Sequence, residues 1–96
     1  MPKGYWMAHV RITDAARYPA YRDAAGKAIA AYGGRFLVRA GRFENPEAPG
    51  YDRNVIVEFE SYDRAVACYR SPEYQAAVKL RLAYSDSTFT IVEGAD

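Results

Sequence analysis

Residues 4–12 read Gly4-Tyr5-Trp6-Met7-Ala8-His9-Val10-Arg11-Ile12, and this stretch decides the fold. Trp6, Ala8, Val10 and Ile12 alternate with Tyr5, Met7, His9 and Arg11. That two-residue period is the mark of a strand with two unlike faces. One face is wholly apolar and must be covered. The other mixes apolar and ionisable side chains, so it meets something different.

Working outward, Thr13-Asp14 stops the strand and offers a helix N-cap. Residues 15–32 then keep helical spacing, with Tyr18, Tyr21, Ala25, Ile29 and Tyr32 on one stripe. Pro19 falls near the first turn, where its missing N–H costs least. Gly33-Gly34 ends the helix, one of the two in the left-handed conformation. A second strand is expected over residues 35–44, with Phe36, Val38 and Ala40 opposite Arg35, Leu37 and Arg39 and a bulge near Gly41. Asn45-Pro46-Glu47-Ala48-Pro49-Gly50 is a loop. A third strand follows over residues 54–60, with Val55, Val57 and Phe59 on one face and Ile56 and Glu58 on the other.

Ser61 caps a helix over residues 62–70. Ser71-Pro72 breaks it and starts another, which presents Tyr74, Ala77, Val78 and Leu82. Ser85-Asp86-Ser87 interrupts that helix before a fourth strand over residues 88–93. The order strand–helix–strand–strand–helix pair–strand predicts an α+β fold of the ferredoxin-like kind. It has a four-stranded antiparallel sheet with helices on one face.

The 96 residues make one domain, 1–96. A single cysteine, Cys68, excludes an intrachain disulfide and reads as a small core residue. Thirteen basic and twelve acidic side chains leave a formal charge of +1, and the arginines are interrupted by acids. Nucleic acid is therefore not the expected partner. No apolar run approaches the roughly 20 residues that span a membrane. With no signal-like stretch at the start, a cytoplasmic setting is expected. One histidine leaves no multi-histidine metal site within a chain, and no metal is expected.

Strict alternation places Tyr5, Met7, His9, Arg11, Leu37, Arg39, Ile56, Glu58, Thr88 and Thr90 on the uncovered face. An apolar patch of this kind marks an interaction surface, and a second copy of the chain would close it. Nine tyrosines, each apolar with a polar tip, suit such an interface. His9, Arg39 and Glu58 are the candidate catalytic residues. His9 can move a proton near neutral pH, Arg39 can hold an oxyanion, and Glu58 can orient either or act as a base. The alternative is an Arg39–Glu58 pair that seats the dimer. Tyr5, Met7, Tyr74 and Arg81 complete the candidate ligand-binding set, the last two overhanging a pocket mouth. The alternative for Tyr74 is a core residue at a capped helix start.

The chain also resembles the domain of unknown function 1330 family over nearly its whole length. The likeness is carried by Gly4-Tyr5-Trp6, Thr13-Asp14, Tyr18 and Tyr21. It continues through Gly33-Gly34-Arg35-Phe36-Leu37-Val38-Arg39 and Val57-Glu58-Phe59, and closes on Val92-Glu93-Gly94. Its most specific piece is Tyr69-Arg70-Ser71-Pro72-Glu73-Tyr74-Gln75-Ala76-Ala77, followed by Arg81. The resemblance implies a dimeric α–β barrel, in which two sheets face each other. The family has no settled activity; the open-face residues are read as those of a homodimer binding a small organic or anionic ligand between the sheets. Two other readings stand beside it. One is a cofactor-independent enzyme, isomerase- or monooxygenase-like, on small aromatic or enolisable substrates. The other is a structural dimer with a filled interface. Fold alone does not choose among them.

Overall fold

The computed structural model describes residues 2–95; Met1 and Asp96, the ends of the expected domain, lie outside them. The elements are β1 (Gly4–Ile12), α1 (Tyr18–Ala31), β2 (Arg35–Arg39), β3 (Arg53–Phe59), α2 (Tyr62–Arg70), α3 (Pro72–Tyr84) and β4 (Ser85–Glu93). The strands form one sheet in the order β2-β3-β1-β4, with every neighbouring pair antiparallel. This is the α+β ferredoxin-like arrangement.

The covered face of β1 builds the core. Trp6 is buried with its ring 4.6 Å from Tyr74, 5.0 Å from Phe59 and 5.2 Å from Phe89. Its indole N–H donates to the Ala65 carbonyl at 2.9 Å, which satisfies the one polar atom the ring brings inside. Ala25, Ala28 and Ile29 of α1 close over the same cluster, as do Ala65 and Cys68 of α2. Small residues on the helices let them approach the large rings of the sheet. Gly4 shows how tight this is: a side-chain carbon there would meet the Ser61 carbonyl and stand 2.6 Å from the Tyr62 Cα.

The helix ends follow local chemistry. Ser61 accepts from the Arg64 N–H, and Ser71 accepts from the Tyr74 N–H while donating to the Cys68 carbonyl at 2.7 Å. Ser71 thus ends one helix and starts the next. Gly33 takes φ +74° after α1, as the Gly33-Gly34 pair predicts.

Four expectations are corrected. Helix α1 begins at Tyr18, not at residue 15. The Asp14 carboxylate accepts from Arg17 N–H, the Asp14 carbonyl accepts from Tyr18 N–H, and Thr13 and Asp14 are tied to the Tyr84 carbonyl. Those bonds make a tethered turn. No loop separates α3 from β4: Ser85 begins the strand directly, its hydroxyl donating to the Arg81 carbonyl at 2.6 Å. Leu82 is 66% exposed, whereas Arg81 is 5% exposed. The inward stripe of α3 runs Tyr74, Ala77, Val78, Arg81, so the arginine takes the place expected of the leucine.

The fourth correction matters most. Strand β2 ends at Arg39, and its register with β3 shifts inside it. Arg35 pairs with Glu58 and Phe36 with Val57, but Val38 then pairs with Ile56 and Arg39 with Val55. Leu37 is the extra residue of a bulge. One inserted residue exchanges the faces of everything after it. Val38 moves to the open side with Ile56, and Arg39 moves to the helix side with Val55. Ala40 follows at φ +58°, its N–H donating to the Asn54 carbonyl at 2.8 Å.

Candidate functional site

The bulge separates the three candidate catalytic residues. His9 stays on the open face, where its Nδ1 lies 2.8 Å from the Asn54 amide oxygen. Glu58 is on the same face, but its partner is Arg35 at 3.1 Å, with the Tyr5 hydroxyl donating at 3.4 Å. The expected Arg39–Glu58 pair does not form. Arg39 instead stands on the opposite side of the sheet, its guanidinium 4.2 Å from the centre of the Phe36 ring.

There Arg39 joins a cavity of about 40 Å³ between the sheet and α1. Strands β1 and β3 supply the floor through Trp6, Ala8, Val10, Val55 and Val57. Helix α1 supplies Tyr18, Tyr21, Arg22, Ala25 and Ile29, spaced one turn apart as helical neighbours are. Phe36, Arg53, Arg81 and Phe89 complete the wall. A bound water needs about 10–15 Å³ on this measure, so the volume holds roughly three waters or one small ring.

The lining is apolar and aromatic but carries four arginines, Arg22, Arg39, Arg53 and Arg81, and no carboxylate. Among the described residues the ion pairs are Arg17–Asp14 and Arg35–Glu58, neither of which reaches the cavity. Three of the four guanidiniums lie over rings of the same wall: Arg39 on Phe36, Arg53 on Tyr18 at 5.4 Å, and Arg81 on Phe89 at 4.7 Å. Such contacts offset part of the cost of holding a cation against an apolar surface. Arg22 and Arg39 are exposed, Arg53 is half-buried and Arg81 is buried, so the charge runs from the mouth to the inner wall.

Tyr74 and Arg81 are joined, but not at a pocket mouth. Tyr74 is wholly buried, and Arg81 Nη1–H donates to its hydroxyl at 3.0 Å. The Tyr74 and Tyr21 hydroxyls are 2.7 Å apart, which ties α3 to α1. Burial pushes the Tyr74 phenol far above its ordinary range, so it keeps its proton and acts as a fixed hydrogen-bonding link. Burial also raises the Tyr18 phenol, against the pull of Arg53 beside it.

Arg53, Arg22, Tyr18, Tyr21 and Phe89 are cavity residues that the open-face reading leaves out. The signal for Arg53 was present: it is in phase with Val55, Val57 and Phe59 along β3. Arg22 lies four residues after Tyr18, which puts both on one helix face.

The chain belongs to the family described as Domain of unknown function (DUF1330), whose model matches residues 3–95. No curated protein matches it. Among solved structures it is similar to a protein of unknown function from Rhodopseudomonas palustris. That match has TM-score 0.78 and 25% identity, covering 99% of this chain and 84% of the other. It is also similar in fold to SnoaB, a cofactor-independent oxygenase from Streptomyces nogalater. Here the TM-score is 0.70 at 11% identity, covering 100% of this chain and 96% of that one. A dimeric ferredoxin-like protein of unknown function from Thermobifida fusca matches at TM-score 0.56 and 17% identity, covering 96% and 91%. Among the described residues no helix is long and apolar enough to cross a membrane.

Proposed function

We propose that this member of the family is a homodimeric binding protein for a small organic anion with an apolar body. The ligand occupies the cavity between α1 and the sheet of each protomer. The carrying observation is an aromatic cavity ringed by four arginines with no acid among its lining residues. Apolar walls take up the body of such a ligand, and convergent polar groups fix its orientation. The sequence reading put the ligand between two facing sheets. The bulge at Leu37 argues for the other side, because it takes Arg39 there.

The open face is left to the second copy. Met7 is 38% exposed and Leu37 45% exposed, beside half-buried Tyr5, Val38 and Ile56. The fold-level likeness to a protein described as dimeric supports the same assembly. Sedimentation at micromolar concentration is expected to give a dimer, and a monomer there would remove this part of the reading.

A cofactor-independent enzyme on small aromatic or enolisable substrates is the second reading. Its support is Tyr21 and Arg81 in the cavity wall, both held by the buried Tyr74 hydroxyl, a fixed pair of polar groups where charge could develop in a substrate. The fold likeness to an oxygenase adds to it.

Ligand-observed NMR with small aromatic acids separates these readings. Binding without change of the acid supports a binding protein; product formation or oxygen uptake supports the enzyme. Ala25→Leu, which adds three carbons to the cavity wall, is expected to abolish either one. Binding that survives Ala25→Leu would place the ligand elsewhere and sink the cavity reading.

A further inference from the structure

The cavity has an inner end that the rest of its wall does not explain. Arg81 is 5% exposed, and its Nη1 donates to the Tyr74 hydroxyl at 3.0 Å. Its Nε–H is buried with no acceptor, and the Nε–H of Arg53 is buried in the same condition. Both residues line this one cavity. They arrive from different elements, Arg53 from the start of β3 and Arg81 from the last turn of α3, and both act on the Tyr18 phenol.

A buried guanidinium without a counter-charge is costly, and a buried donor without an acceptor adds to that cost. The second cation, on half-buried Arg53, repels the first at the same apolar cavity. Cation–π contacts with Tyr18 and Phe89 compensate the charge in part but accept neither N–H. What fits is a planar anion with two acceptor oxygens and an apolar remainder. A carboxylate answers both orphaned donors, since it accepts from guanidinium N–H groups through either oxygen.

We infer that Arg53 and Arg81 form a carboxylate subsite at the inner end of the cavity, and that the ligand class is a small aromatic or short aliphatic monocarboxylate. The inference rests on the cavity being the ligand site and adds which end of the ligand goes inward. The acid group enters first, the apolar body lies against Trp6, Tyr18 and Phe89, and Arg22 and Arg39 stay at the mouth. Their exposed charges attract an anion to the entrance without holding it. Room for roughly one small ring sets the size limit.

The test compares benzoate with benzamide, its neutral counterpart of the same shape, by titration calorimetry on the full chain. Benzoate is expected to bind at least about tenfold more tightly, as loss of one charge-assisted hydrogen bond requires. Arg53→Gln is expected to cut that preference several-fold, the remainder being the share of Arg81, while changing benzamide affinity less than about twofold. If Arg53→Gln does not fold, the wild-type protein still decides. Carboxyl-labelled benzoate followed by carbon NMR should stay ionised, when bound, at least about one pH unit below its free midpoint. Equal affinities for the two probes, or an unshifted bound carboxylate, would overturn the subsite and leave the cavity in place. Failure of both probes to bind would overturn the subsite and the cavity reading together.

Discussion

Strand β1 pairs on both sides, with β3 and β4, whereas β2 is an edge strand paired with β3 alone. Along β1 the register with β4 runs unbroken from Gly4 to Ile12. Along β2 it survives two residues before Leu37 is skipped. A strand held by two ladders cannot take up an extra residue without disturbing both. An edge strand has only one ladder to disturb, and bulges gather there. The consequence is chemical: the central strand fixes which residues make the floor of the cavity, and the irregular edge delivers Arg39 to its mouth.

The largest break in this comparison is Trp6→Ala. It empties the centre of the aromatic cluster on β1 and removes the indole N–H bond to the Ala65 carbonyl, and is expected to cost about 3–5 kcal/mol in urea unfolding. A loss below about 1 kcal/mol would mean that β1 does not anchor the core.

Second is the buried layer under β1. Burial pushes the Cys68 thiol up to about 12 from an ordinary value of 9.0. The folded state therefore holds this proton at pH values where the unfolded chain releases it. Stability from this group is intact below about pH 9 and is lost as pH rises from there toward 12, by up to about 1.4 kcal/mol per pH unit. Thiol labelling of the folded protein should stay negligible at pH 8 and track unfolding above pH 9. Rapid labelling under native conditions would show that the layer opens.

Third comes Arg39→Gln, which takes away the charge that the bulge brings to the cavity mouth. Benzoate association is expected to slow by about two- to threefold at low salt, with the fold retained, because Arg39 attracts the anion without holding it. An unchanged association rate would show that the edge irregularity has no bearing on the site. Smallest is Glu58→Gln, which breaks the pair with Arg35 between β3 and β2. Arg35 is largely exposed, so the change should be less than about 1 kcal/mol and shrink further in high salt.

Much of this architecture is legible in the residues, and the same comparison shows why part is not. The alternation of β1 gives both faces correctly, and Ser61, Ser71-Pro72 and Gly33-Gly34 mark helix ends that stand where their chemistry puts them. Of the seven candidate residues, Arg39 and Arg81 alone line the cavity. The side of the sheet that Arg39 takes is not legible, because Leu37 carries no glycine or proline to announce a bulge. Arg81 hides for another reason. Leu82 is the more apolar neighbour, so sequence logic turns α3 by one residue, whereas the hydrogen bond to Tyr74 holds it the other way. The start of α1 is masked by Asp14, a cap-type residue spent on a turn.

The chain has a single tryptophan, and it lies in the wall of the cavity. Every photon emitted by Trp6 therefore comes from one place, with Phe59, Tyr74 and Phe89 packed about it and the cavity on its remaining side. The protein carries its own optical gauge of occupancy. Filling the cavity alters the polarity and motion around that one indole, so intensity, peak position and lifetime can be followed without any label.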